Sequence, residues 1–113
     1  MEARATQKYI RVSPQKARLV VDLIRGKNAG EALSILTYTK KRVTQAVEKV
    51  LRSAIANAEQ KAEHLDVDQL VVSKAYVNEG PRSKRTRPAP MGRAYRYQRR
   101  MSHITVVVES PEA

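Results

Sequence analysis

An α+β fold is predicted for this 113-residue chain by three features of its sequence. Stretches with apolar residues at helical spacing fill the first two thirds, β-branched runs dominate the last third, and a block of uninterrupted positive charge separates two of those runs. The length allows one domain with a single modest core, so residues 1–113 are taken together. With no Phe or Trp and five Tyr, that core is to be built from Leu, Ile, Val and Ala.

The elements follow in chain order. Thr6, Lys8, Ile10 and Val12 alternate with Gln7, Tyr9 and Arg11, which suggests a first strand. Ser13-Pro14 places Ser at an N-cap and Pro at the first helical position, while Arg25-Gly26 supplies a basic last turn and a glycine just past the end. A first helix is therefore predicted over 14–25. Its apolar residues Ala17, Val20, Val21 and Ile24 recur at i, i+3, i+4, i+7, with Leu19 and Leu23 widening that face and Arg18, Asp22 and Arg25 opposite. Asn28 with Glu31 has capping-box spacing, and Ala29, Ala32, Leu33 and Leu36 give a short second helix. A third and longest pattern runs from about Lys41 to Ala62 through Val43, Val47, Val50, Leu51, Ala54, Ala58 and Ala62, its alanines allowing close approach of a neighbour. Leu70–Val77 and His103–Val108 read as two strands suited to antiparallel pairing.

Charge carries the first functional statement. Lys and Arg number 22 against 11 Asp and Glu, for a net +11, and such a chain repels itself unless a polyanion neutralises it. Between Gly80 and Arg100 there are eight cations (Arg82, Lys84, Arg85, Arg87, Arg93, Arg96, Arg99, Arg100) and no carboxylate. That stretch also holds Pro81, Pro88 and Pro90 and almost nothing to bury, so it reads as an extended hairpin arm over 80–100. The globular body is then 1–79 and 101–113. At about 3.3 Å per residue, ten residues out would reach roughly 30 Å, with Pro88 to Gly92 at the tip. Each cation can neutralise a phosphate, and Tyr95 and Tyr97, interleaved with Arg93, Arg96 and Arg99, offer faces for unpaired bases. The plain alternative is a solvated basic loop.

A second cluster lies in the first 27 residues, where Arg4, Lys8, Arg11, Lys16, Arg18, Arg25 and Lys27 face only Glu2 and Asp22. It reads either as a second phosphate-binding surface, favoured for Arg11, Lys16 and Arg18, or as a solvated helix face with an Arg18–Asp22 pair at i,i+4; Arg25 fits both. His103 is a strand-end residue near the base of the arm and joins the candidate RNA contacts, whereas His64 reads as a solvated loop residue. No cysteine exists for thiolate, disulfide or nucleophilic chemistry, no carboxylate pair has metal-site spacing, and neither a P-loop nor a G-x-S-x-G turn occurs. Neither a catalytic role nor a cofactor or metal is expected. The longest apolar run is three residues, against the roughly 20 needed to span a bilayer, and no apolar segment follows Met1-Glu2-Ala3-Arg4, so no membrane partner is expected and the cytoplasm is the simplest location. A DNA-binding or nucleoid-type protein is the alternative that charge alone permits, but a helix-turn-helix reading of the first two helices leaves few base-reading side chains.

Taken together, Ser13–Lys27, Ile35-Leu36-Thr37-Tyr38-Thr39, Ser53-Ala54-Ile55-Ala56-Asn57-Ala58, Glu79-Gly80-Pro81, Lys84-Arg85, Gly92-Arg93-Ala94 and Ser102–Val108 closely resemble the bacterial form of the large-ribosomal-subunit protein twenty-two family, over essentially the whole chain. The resemblance implies three helices packed on a three-stranded antiparallel sheet with one very long β-hairpin. It further implies a structural constituent of the large subunit that binds 23S-type ribosomal RNA, helps early assembly, meets neighbouring ribosomal proteins near the tunnel exit, and lines the nascent-peptide tunnel with its hairpin tip. Here the tip would be Arg87, Pro88, Ala89, Pro90, Met91, Gly92 and Arg93, next to the nascent peptide. Family tips often carry two more cations, where this chain has Ala89-Pro90-Met91. The RNA-binding set is then Lys8, Arg11, Lys16, Arg18, Lys27, Arg82, Lys84, Arg85, Arg87, Arg93, Tyr95, Arg96, Tyr97, Arg99, Arg100 and His103.

Overall fold

The computed structural model describes residues 2–39, 41–61, 67–88 and 94–110, with the backbone alone at 67, 82–88 and 94–99. The chain runs through β1 (Glu2–Ile10), α1 (Pro14–Ile24), α2 (Ala29–Tyr38), α3 (Thr44–Lys61), a single 3-10 turn (Val67–Gln69), β2 (Val71–Pro88) and β3 (Ala94–Glu109). The expected α+β architecture is present: β3 lies between β1 and β2, antiparallel to both. Helix α1 packs against β2 and α3 against β1 and β3, with α2 resting on α3.

Alternation sorts the sheet. Ala3 and Ala5 of β1, Val72, Ala75 and Val77 of β2, and Ile104, Val106 and Val108 of β3 are buried on the face that receives the helices. Against them lie Ala17, Val20, Val21 and Ile24 from α1, Leu36 from α2, and Val47, Leu51, Ala54 and Ala58 from α3. Alanine stands on both sides of the α3–β1 contact, which lets the backbones come close. There the Asn57 side-chain amide donates to the Arg4 carbonyl at 2.9 Å and the Lys61 ammonium to the Glu2 carbonyl at 2.9 Å.

Local chemistry explains the helix ends. The Ser13 hydroxyl accepts from the Lys16 amide at 3.4 Å with Pro14 at the first position of α1, and Gly26 takes φ +82° just beyond its end. At Asn28 the side-chain oxygen accepts from the Glu31 amide at 3.0 Å while the side-chain nitrogen donates to the Asp68 carbonyl at 3.0 Å. An amide side chain does both from separate atoms, whereas an ionised carboxylate cap could only accept. The α1–α2 turn is laced to β2 by Gly26 N–H to Val72 C=O, Val72 N–H to Lys27 C=O and Ala29 N–H to Leu70 C=O, each 2.8 Å.

Five expectations are corrected. The first strand lies at 2–10 rather than 6–12, and its alternation breaks where Gln7 faces Ile104 but Ile10 faces Ser102. This is a bulge with two residues against one, and Tyr9 occupies it at φ +61°, a conformation that costs a non-glycine residue roughly 1–2 kcal/mol. Helix α3 begins at Thr44 because residues 41–43 form a turn closed by the Thr44 amide on the Lys41 carbonyl at 3.1 Å. Arg25 is not in the last helical turn but is the extended C-cap residue. Leu19 and Leu23 do not widen the buried face: they are 54% and 43% exposed, because α1 sits at one edge of the sheet and only a narrow stripe of it is covered. Asp22 pairs with Arg25 at 2.8 Å instead of with Arg18.

Candidate nucleic-acid interface

The arm is a two-stranded continuation of β2 and β3. Beyond the register shift between Glu79 and Arg82, the ladder runs Arg82 opposite Arg100, Ser83 opposite Arg99, Lys84 opposite Gln98, Arg85 opposite Tyr97, Thr86 opposite Arg96, Arg87 opposite Tyr95 and Pro88 opposite Ala94. Pleating therefore assigns positions 82, 84, 96 and 100 to one face of the ribbon and 85, 87, 95, 97 and 99 to the other. Cationic positions occur on both. The molecule extends 66 Å along its longest axis, against 25 and 16 Å along the others. The anticipated tip residues Ala89, Pro90, Met91, Gly92 and Arg93, and His64, lie outside the described residues.

At the base of the arm Gly80 is enclosed: a Cβ there would lie 3.1 Å from the Met101 carbonyl oxygen and 3.2 Å from His103 Cε1. His103 stands opposite Asn78. Its Nδ1 accepts the Tyr9 backbone N–H at 3.0 Å, and its ring meets the Tyr9 ring edge-on, centroids 5.0 Å apart and planes at 87°. The bulge frees that N–H from the sheet ladder, and the imidazole takes it up.

The cations of the body do not form one patch. Lys8 is exposed near the end of β1, Arg11 in the bend after it, and Lys16 in the first turn of α1, so these three lie at one end of that helix. Lys27 is exposed at the other end, about 16 Å away along an 11-residue helix. Arg18 donates through Nη2 to the Val77 carbonyl at 3.1 Å, and Arg25 reaches the Ala75 carbonyl. Both hold α1 to the outer edge of β2, leaving Arg18 one guanidinium partly committed. Arg100 is exposed where the arm joins the body.

Two residue groups escaped the sequence reading. Arg25 bonds a carbonyl 50 residues away, which no local pattern reveals. Alternation puts Tyr9 in a regular strand, and a tyrosine in a glycine-like conformation has no sequence signature. Among the described residues no three His, Asp or Glu come together as a metal site, and no helix is long and apolar enough to cross a membrane.

Comparison with known proteins gives a consistent result. Residues 5–109 match the family described as ribosomal protein L22p/L17e. The chain is 66% identical over 113 residues, covering all of both chains, to the large ribosomal subunit protein uL22 of Solibacter usitatus (strain Ellin6076). It is 59% identical over 108 residues, 96% of this chain and 95% of the relative, to the large ribosomal subunit protein uL22 of Halothermothrix orenii (strain H 168). With the large ribosomal subunit protein uL22 of Oceanobacillus iheyensis it shares 57% identity over 108 residues, with the same coverage.

Proposed function

The chain belongs to the ribosomal protein L22p/L17e family, a structural and non-enzymatic constituent of the large ribosomal subunit, and from that premise we propose that it works by cross-linking 23S-type ribosomal RNA in the cytoplasmic ribosome. In this reading the body, 1–79 with 101–113, rests on RNA through Lys8, Arg11 and Lys16, with Arg18 and Lys27 as outlying contacts. The arm, 80–100, carries Arg82, Lys84, Arg85, Arg87, Arg93, Arg96, Arg99 and Arg100 into RNA too dense to admit a globular domain. Tyr95 and Tyr97 stack on bases, and His103 and Arg100 mark the junction. The tip, Arg87 to Arg93, borders the nascent-peptide tunnel, and the body meets neighbouring ribosomal proteins near the tunnel exit and helps early assembly.

One observation carries this: the hairpin presents cationic positions on both faces of its ribbon and no carboxylate anywhere along 80–100. A ribbon lying on a surface needs charge on one face. Charge on both suits a ribbon with anionic polymer all round it.

Salt dependence of binding to in vitro transcribed 23S-type RNA tests the reading. If all eight arm cations displace counterions, log K falls against log salt with a slope of roughly −5 to −6, about −0.7 for each phosphate neutralised. Replacing Arg82, Lys84, Arg85 and Arg87 together by Gln should make that slope shallower by about 3. A nearly flat slope, or stronger retention on duplex DNA than on this RNA, would overturn the proposal.

A further inference from the structure

We propose that the sheet face turned away from the helices is a further RNA contact, on which unpaired nucleotides stack against Tyr9 and Tyr76; this rests on the ribosomal-RNA reading above and adds a stacking surface to the arm and to the cations at the start of α1. Strand alternation defines the face. Because Ser102, Ile104, Val106 and Val108 are buried toward the helices, His103, Thr105 and Val107 point the other way, with Thr105 and Val107 only 4% exposed between the outer strands. Opposite them in register lie Thr6 and Arg4 on β1 and Asn78, Tyr76 and Lys74 on β2, all exposed.

Tyr9 is the informative residue. The residue is 62% exposed, so burial does not account for it. Its backbone at φ +61° is one that glycine would adopt without strain, so the turn does not account for it either. What the structure does with the ring is brace it: the T-shaped contact with His103, centroids 5.0 Å apart, fixes its orientation through the ring of a neighbour while the residue stays exposed. The Tyr9 N–H is donated to His103 Nδ1, so the bulge and the two rings are held together as one unit. Strained residues held this firmly by their surroundings concentrate at binding sites. Tyr76, opposite Thr105 on the same face, is a second exposed ring at 39%.

Charge selects the occupant. Arg4 and Lys74 flank Val107 from either side, supplying phosphate contacts beside the rings. Glu2 and Glu109 stand opposite one another at the end of the sheet remote from the arm. Those carboxylates repel a nucleic-acid backbone at that end, so a bound strand runs from the middle of the face toward the arm. Exposed aromatic rings beside cations on an open antiparallel sheet take single-stranded RNA by stacking, and each base so held contributes about tenfold or more in affinity.

The test uses the full chain with Tyr9→Gly and Tyr76→Thr combined. Glycine is at ease at φ +61° and threonine in a strand, so both changes remove rings without opposing the backbone, and thermal unfolding checks that the variant folds. Affinity for in vitro transcribed 23S-type RNA is expected to fall at least tenfold with an unchanged salt slope, while Tyr9→Phe with Tyr76→Phe stays within twofold of the parent. Three results would overturn the proposal: binding by the Gly/Thr variant within twofold of the parent, a loss accompanied by a shallower slope, or intact RNA binding together with failure to enter the large subunit. The last would assign the face to a neighbouring protein. Should the unaltered chain itself not bind this RNA, the ribosomal-RNA reading falls first, and the two failures are told apart.

Discussion

The Arg25 guanidinium places two donors on one acceptor, the Ala75 carbonyl, through Nη2 at 2.7 Å and Nε at 3.1 Å, and its remaining nitrogen meets Asp22 Oδ1 at 2.8 Å. One side chain thus joins the end of α1 to an edge carbonyl of β2. Lysine has no planar fork to reproduce this. Arg25→Lys and Arg25→Ala should each lower stability by about 1 kcal/mol, a charged hydrogen bond discounted for its partial exposure. Urea denaturation reads this as a lower midpoint at constant slope.

Gly26 and Gly80 are constrained for different reasons, and alanine separates them. At Gly26 a Cβ would meet nothing within 4 Å, but φ is +82°, so Gly26→Ala costs about 1 kcal/mol of backbone strain and leaves the arm alone. At Gly80 the obstacle is the Met101 backbone at 3.1 Å, which moves only if the ladder moves. Gly80→Ala should therefore shift backbone amide resonances of 79–82 and 100–103, whereas Gly26→Ala shifts those of the α1–α2 turn.

Along α1, neighbouring apolar residues should respond oppositely to substitution. Leu19→Gln and Leu23→Gln, at exposed positions, should stay within about 0.5 kcal/mol of the parent. Ile24→Ala, at a fully buried one, should cost about 2–5 kcal/mol. Denaturation midpoints of the three variants decide it.

Thr44 offers a gain. Its Oγ1 is buried without a hydrogen-bonding partner among the described residues, and valine has nearly its shape without the hydroxyl. Thr44→Val should raise stability by about 1 kcal/mol, since an unpaired buried hydroxyl costs about 1–3 kcal/mol. Differential scanning calorimetry would show a higher midpoint.

What could be read from the chain alone was whatever is decided within a few residues. Ser13-Pro14 and Asn28 became caps as expected, Gly26 took the left-handed position, and Ala17, Val20, Val21 and Ile24 became core, because capping and periodicity are local chemistry. Leu19 and Leu23 share that periodicity yet stay in water, since how wide a helical stripe is covered depends on where the helix lands on the sheet. Arg18 and Arg25 looked like any surface cations because their acceptors, Val77 and Ala75, are 59 and 50 residues away. The arm was legible for another reason: eight cations without a carboxylate announce themselves before any geometry is known. Tyr9 was hidden because a bulge shifts the alternation it would be read from.

Strand β1 stops at Ile10, and past that point β2 and β3 go on as a ribbon with no third strand beside it among the described residues. In the body, Asn57 and Lys61 cover carbonyls of one outer strand and Arg18 and Arg25 cover those of the other. A two-stranded ribbon has two outer edges, and two such ribbons could add to each other strand by strand. Mutual repulsion between copies that each carry a net charge of +11 opposes that addition. Salt at molar strength shortens the reach of that repulsion to about 3 Å, so the free protein should self-associate at molar salt.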